Sequence, residues 1–384
     1  MTRGPEVDTP VAIVGGGVVG AAVAHALACR GVAAVLLEAE DELALGASGT
    51  SSGILHTGFD SPPGELETEL ILRSATLRDR WLDRSGVPVV RCGATLRPRG
   101  EAEARTVAAL AGAARANGVD VVLSDDGALE VPGEAVTDPV AYTIALAATA
   151  ASAGAEVRTG ARVVAIERRR SRLVLALADG GAVACRSAVN CAGLFADDVA
   201  RMAGDDSFAI APRKGEFFVF DPPGGAALDR ILLPVPTKRT KGVLAFPTVD
   251  GKVVVGPTAH DQEDKSDWTV RGEARDEVLG RARALLPALE GAEPVASYAG
   301  LRPAGRGANY VIGPSAACPG LVNVAAIRST GLSASLGIGE HVAEILSGQG
   351  IALGPERPLR VTHAPPDDRP WWRRTALHRS GRSR

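Results

Sequence analysis

Residues 11–40, VAIVGGGVVGAAVAHALACRGVAAVLLEAE, carry the reading from which the rest of the chain can be interpreted. VAIVGG is a short β-branched run ending in glycine, VVGAAVAHALACRG has helical spacing closed by Gly31, and VAAVLLEAE is a second buried-strand pattern. Together they predict a βαβ unit. Gly15, Gly17 and Gly20 form GxGxxG where strand meets helix, and Glu38 ends the second strand 23 residues beyond Gly15. The first glycine permits a tight turn, the second lets the backbone approach a pyrophosphate, and the third lets helix and strand pack closely. The helix N-terminus offers N–H donors and positive partial charge to phosphates. Glu38 is placed to accept hydrogen bonds from ribose hydroxyls and to disfavour a 2′-phosphate. Residues 11–28 are apolar over about the 18 residues a membrane span needs, but glycines and His25 interrupt them and another strand follows, so no span is predicted.

With 384 residues the chain is long enough for two domains and a buried cofactor. Its 42 Lys and Arg against 45 Asp and Glu leave a net charge of -3, which argues against a general nucleic-acid binder. Cys29, Cys92, Cys185, Cys191 and Cys318 are scattered without a CxxC pair, so neither a disulfide framework nor a metal site is expected. The start, MTRGPEVDTP, lacks the basic, apolar and small-residue layout of a signal peptide. A cytoplasmic location is expected, with at most peripheral membrane contact.

Working outward, residues 65–86 place Leu66, Leu70, Leu77 and Trp81 near one helical face and stop at Gly86. VTDPVAYTIALAATAASAGAEV predicts a helix with Asp138 as N-cap, Pro139 at the first position and Gly154 closing it. From about 206 to 270, FFVFD, GVLAF and KVVVG alternate between Pro, Gly and Asp in the manner of an antiparallel sheet. A helix at 271–289 follows, then strand-like VASYAG and LVNVAA, and GLSASLGIGEHVAEILSG as a last helix. Residues 351–384 are Pro-rich and then basic, expected as a loose or docked tail with Trp371 and Trp372 as anchors.

The fingerprint alone leaves NAD and FAD open. GASGTSSGILHTGF, residues 46–59, forms a long yielding connection where an NAD dehydrogenase normally continues into regular βα units. With it stand VVAIERR, SAVNCAGLFADDVA, PRKGEFFVFD, PVPTKRTKG, FPTVDGKVVVGPTAHD, AGLRPA and AAIRSTGLSAS, in an order spanning 11–347. The chain resembles the D-amino acid oxidase superfamily of FAD-dependent oxidoreductases, first its glycerol-3-phosphate oxidases and dehydrogenases, then L-2-hydroxyglutarate oxidase. The resemblance implies an α/β fold: a discontinuous Rossmann-type FAD-binding domain (1–85, 140–205 and 295–350) and a second, antiparallel-sheet substrate domain (86–139 and 206–294).

It also implies roles for particular residues. FAD is expected against Gly15, Gly17, Gly20, Glu38, Ser48, Ser51, Ser52, Gly53, Val163, Ala192, Gly193, Gly331 and Leu332. His56, in the stretch matching the HSG or HAG of these enzymes, is expected at the flavin as the base that takes a hydroxyl proton; an unperturbed imidazole, with a pKa of about 6.5, suits that work. Arg302 is expected to clamp a carboxylate or phosphate. Lys241 is preferred over its neighbours Lys238 and Arg239 as a second cation. Arg328 and Ser329 precede Gly331, the expected start of the last helix, whose positive end would favour a reduced flavin; Ser329 is expected either to hydrogen-bond the substrate or, equally with Thr330, to cap that helix. The expected reaction oxidises a small anionic secondary alcohol, with oxygen or a quinone as electron acceptor and no nucleic-acid partner. Three departures bear on this: no Asn beside the serine in GTSSG, Glu67 and Glu69 where lysines are usual in the glycerol-phosphate enzymes, and no cysteine-rich extension. The rivals are an amino acid or amine oxidase, a pathway-specific oxidase of a larger hydroxylated metabolite, and a flavin-binding interaction protein using its basic tail.

Overall fold

The computed structural model describes residues 6–225, 227–237, 241–362 and 369–379. Its helices are α1 (Val18–Cys29), α2 (Leu66–Ser85), α3 (Gly100–Ala116), α4 (Pro139–Ser152), α5 (Ala196–Met202), α6 (Ala274–Leu285), α7 (Gly331–Gly348) and α8 (Trp371–Arg379).

The expected βαβ unit is present. Strand Glu6–Val14 leads through α1 to strand Ala34–Leu37, and the two pair in parallel from Val11↔Ala34 to Val14↔Leu37. A parallel array grows from this pair, in the spatial order Glu156–Arg158, Ala34–Leu37, Glu6–Val14, Ala182–Asn190 and Leu321–Ala325. Val11 and Ile13 face a core made with α1, α4 and α7, while Ala12 and Val14 face a second core with Leu173, Leu175 and Val199. Burial on both faces explains why residues 11–14, VAIV, and 34–37, AVLL, read as unbroken apolar runs. Gly20 lets α1 lie on its strand, since a Cβ there would sit 2.0 Å from the Gly15 carbonyl oxygen.

Strand Ala182–Asn190 meets Glu6–Val14 along one edge; the other edge is shared between Arg172–Leu177 near its start and Leu321–Ala325 near its end. Asn190 Nδ2 donates to Asn323 Oδ1 at 3.0 Å, and Asn323 Nδ2 to Asp205 Oδ2 at 2.9 Å, so the late joint is sealed by a buried polar chain.

The larger sheet centres on strand Ile210–Phe220 and is antiparallel apart from the parallel pairing of Ile231–Leu233 with Ala94–Leu96. Strand Ala296–Gly305 pairs with Ile210–Phe220 along its full length. The stretch carrying Arg302, expected with 295–350 in the FAD-binding domain, thus pairs into this sheet. A third, small sheet joins Ile54–Leu55, Ala135–Thr137 and Val89–Val90, so parts of 86–139 lie beside the loop of His56 rather than in the larger sheet.

Asp138 caps α4 as expected, its Oδ1 accepting from Val140 N and Ala141 N, both at 2.9 Å. The helix expected at 271–289 ends at Leu285 and continues as a separate 3-10 turn, Pro287–Leu289, because a proline disfavours helical geometry in the residue before it. The tail forms α8, with Trp371 fully buried. Among the described residues no helix is long and apolar enough to cross a membrane.

Candidate functional site

The small sheet sets the centre of the site. Ile54 pairs with Val136 and Leu55 with Ala135 in antiparallel register, which brings the next two residues, His56 and Glu134, side by side. His56 Nδ1 lies 2.9 Å from Glu134 Oε2. The other oxygen of this fully buried carboxylate accepts from Thr57 N at 2.7 Å and Thr57 Oγ1 at 2.9 Å. The Glu134 carboxylate accepts both Thr57 contacts, and a carboxylate can only accept, so a proton on Nδ1 satisfies the pair and leaves the lone pair of His56 on Nε2. The backbone of His56 is held as well: its N–H donates to Ser333 Oγ of α7 at 2.8 Å, and its carbonyl accepts from the buried Arg78 at 3.1 Å.

His56 opens on a cavity of about 1550 Å³ that is also lined by Gly15, Gly17, Glu38, Ser48, Ser51, Ser52, Val163, Ala192, Gly193, Lys241, Arg302, Arg328, Ser329, Gly331 and Leu332. Residues expected at a cofactor and at a substrate therefore share one space. It exceeds the ~300–1,000 Å³ of ordinary ligand pockets, as a dinucleotide and a substrate together require. Two expected residues do not face it. Gly20 is spent on helix–strand packing, and Gly53 stands against the Thr137 carbonyl oxygen, which a Cβ would approach to 2.4 Å.

At one end of the cavity Glu38 accepts from Gly16 N at 2.6 Å and Glu40 N at 2.9 Å, and Ser48 Oγ accepts from Val18 N at 2.9 Å, which pins the glycine turn. Gly15 has φ 110° and a Cβ on it would meet the Cys191 carbonyl oxygen at 2.4 Å. The turn is thus a bare-backbone cradle at a helix start, and it fits a pyrophosphate.

Arg302, also on the cavity wall, faces Arg213 across the register of its sheet. Its Nη2 donates to the Thr258 carbonyl at 3.2 Å, and room for the guanidinium depends on Gly215, where a Cβ would come within 2.4 Å of Nη2. Among the described residues no carboxylate pairs with Arg302, whereas Arg213 pairs with Asp261 at 3.2 Å. Burial, and then the Arg213 charge, pull the Arg302 guanidinium down to about 10. An anion in the cavity would relieve both costs.

Lys241 reaches the cavity, but its Nζ is engaged by Asp60 Oδ2 at 2.5 Å, so its charge is already matched. Lys238 and Arg239 lie outside the described residues. Thr330 stands at the N-cap of α7 without capping through its side chain: its hydroxyl donates to Glu67 Oε1 at 2.7 Å instead. Glu67 also accepts from Asn309 at 2.6 Å and Arg328 at 3.0 Å, so the acidic residue that departs from the lysine pattern ties α2 to the start of α7. Gly331 and Leu332 begin α7 at the cavity wall, where first-turn N–H groups have no partner within the helix.

Sequence reasoning missed Glu134, Asp60, Arg213 and Arg78. A βαβ motif or a glycine pattern signals none of them: pairing register aligns Glu134 with His56 and Arg213 with Arg302, and tertiary contacts alone bring in Asp60 and Arg78.

The family model for FAD dependent oxidoreductases, DAO, matches residues 10–345. Glycerol 3-phosphate dehydrogenase of Caloramator mitchellensis is 29% identical over 352 residues, covering 88% of this chain and 73% of that protein. L-2-hydroxyglutarate dehydrogenase of Escherichia coli K12 is 27% identical over 265 residues, 64% of this chain and 63% of that one. In structure, the chain is similar to dithionite-reduced L-alpha-glycerophosphate oxidase from Mycoplasma pneumoniae with FAD bound, with a TM-score of 0.84, 25% identity, and coverage of 91% and 97%.

Proposed function

We propose a substrate class and a proton path for this chain, which belongs to the DAO family of FAD-dependent oxidoreductases and so works with FAD. The substrate is a small secondary alcohol bearing an anionic group, of the glycerol 3-phosphate or 2-hydroxy acid type, and the product is its ketone. The observation that carries this reading is the His56–Glu134 pair opening on the same cavity as the unpaired Arg302.

FAD, when bound, supplies the two-electron acceptor for the substrate C–H. Around it the chain has three tasks. Arg302 binds the anionic group, which fixes the orientation of the alcohol carbon; the charge it lacks in its own surroundings is the one the substrate brings. His56 takes the hydroxyl proton on Nε2, because Nδ1 is committed to Glu134. Glu134 then stabilises the imidazolium and keeps the ring from turning. The first turn of α7 holds the histidine backbone through Ser333, so base and helix start move as one piece. The names of the glycerol 3-phosphate and L-2-hydroxyglutarate relatives support the alcohol class, and so does the base itself, since a neutral amine needs none.

The experiment is anaerobic bleaching of the flavin absorbance by glycerol 3-phosphate, L-2-hydroxyglutarate and a set of amino acids in turn. One of the two hydroxylated anions is expected to reduce the protein, and His56→Asn to slow that step by about 10²- to 10⁴-fold while retaining FAD. Reduction by an amino acid at a rate indifferent to His56→Asn would overturn the reading.

A further inference from the structure

The C-terminal helix α8 lies beyond residue 345, where the family match ends, yet it grips the cofactor end of the cavity. Between strands Ala34–Leu37 and Ile54–Leu55 runs a loop, residues 38–53, free of helix and strand. Loops of that length inside a compact domain are uncommon and usually functional. On its inner side Ser48, Ser51 and Ser52 line the cavity. On its outer side the contacts come from α8. Thr375 Oγ1 donates to the Gly49 carbonyl at 2.6 Å, Arg379 Nε to the Leu45 carbonyl at 2.7 Å, and Arg374 pairs with Glu42 at 2.6 Å. The fit is close: a Cβ on Gly49 would lie 2.4 Å from the Thr375 methyl.

The helix is itself fastened to the other half of the molecule. Trp371 is fully buried and meets Tyr298 of the larger sheet edge-on at 5.6 Å, and Trp372 Nε1 donates to Asp250 Oδ2 at 3.1 Å. At the far end of α8, Arg379 lines the cavity with Glu38 and Glu40 and stacks its guanidinium on the Trp268 ring at 5.1 Å. One short helix therefore joins the larger sheet to the loop that faces the dinucleotide.

We propose that α8 is a clamp that retains FAD: it holds loop 38–53 in its binding conformation, and helix docking and FAD binding strengthen each other. Ordering the loop beforehand removes a cost that the cofactor otherwise meets on binding. By linkage the same coupling runs in reverse, so bound FAD tightens the helix. The proposal rests on FAD binding alone and is independent of which substrate is oxidised.

The test is a fluorescence titration of apoprotein with FAD for the wild type, Thr375→Val, Arg379→Ala, their double variant and, as a control on the exposed side of α8, Arg373→Ala. The double variant is expected to raise Kd by about tenfold or more, the scale set by two lost hydrogen bonds, and the control to leave it unchanged. Hydrogen exchange of residues 371–379 in the wild type is expected to be slower with FAD than without. A double variant that binds FAD like the wild type overturns the proposal, and so does exchange in α8 that is the same in both forms.

Discussion

At the scale of single residues the site turns on which nitrogen of His56 carries a proton. Glu134→Gln tests this directly. The amide keeps an oxygen for Thr57 but presents NH₂ to His56, so Nδ1 becomes an acceptor and the ring proton moves to Nε2, the atom that should receive one. Flavin reduction is expected to slow by about 10²-fold or more with KM and FAD content unchanged, measured by rapid mixing under anaerobic conditions. Unaltered reduction would remove Glu134 from the proton path. His56 and Arg302 were named through the stretches that carry the resemblance, and both line the cavity. Glu134 was not legible: VPGEAV carries no motif, and the strands that align it with His56 have two and three residues, too few for any periodicity to register. Lys241 was legible as a cation but not as one already neutralised, because Asp60 lies 181 positions away.

At the scale of elements, α1 was legible from glycine spacing and α7 from its start after Ser329, since both follow strong local rules. Helix α3 escaped although Val107, Ala111 and Ala114 form its buried face; two of the three are alanines, which barely lift an apolar signal. Helix α8 escaped because WWRRTALHR reads as basic, and only the Tyr298 ring shows why its first tryptophan is buried. Helix α1 also carries a pH liability. His25 meets Trp81 edge-on at 5.0 Å, and burial together with the Arg84 charge lowers its pKa from 6.5 to about 4. The folded chain resists a proton that the unfolded chain accepts near 6.5. Stability is therefore intact above that pH and falls as the pH drops from 6.5 towards 4, by about 3 kcal/mol for this group. Denaturant unfolding at several pH values in this window should show a shallower acid decline in His25→Gln than in the wild type.

At the scale of the whole molecule, the two large sheets follow their sequence texture: the apolar runs VAIV and AVLL at the centre of the parallel array, alternation broken by Pro and Gly for the larger sheet. The division between them was less legible. Strand Ala296–Gly305 is assigned only by its ten-residue pairing with Ile210–Phe220. The fingerprint fixed a dinucleotide but not which one, because the glycine turn contacts the part that NAD and FAD share. A chain cut before Leu321 lacks both the last parallel strand and α7, and is expected to bind no FAD in a flavin fluorescence assay; measurable binding would show that the cradle is complete without them.

The shared edge of strand Ala182–Asn190 has a consequence for how this protein is made. Ala188, Val189 and Asn190 leave the ribosome long before Leu321, Val322 and Asn323, the residues that cover them. During translation that half of the strand edge stays bare, a template for pairing with a neighbouring nascent chain. Cofactor uptake must then follow synthesis rather than accompany it, and holding the emerging chain at low crowding or in the care of a chaperone should raise the yield of yellow protein more than adding riboflavin does.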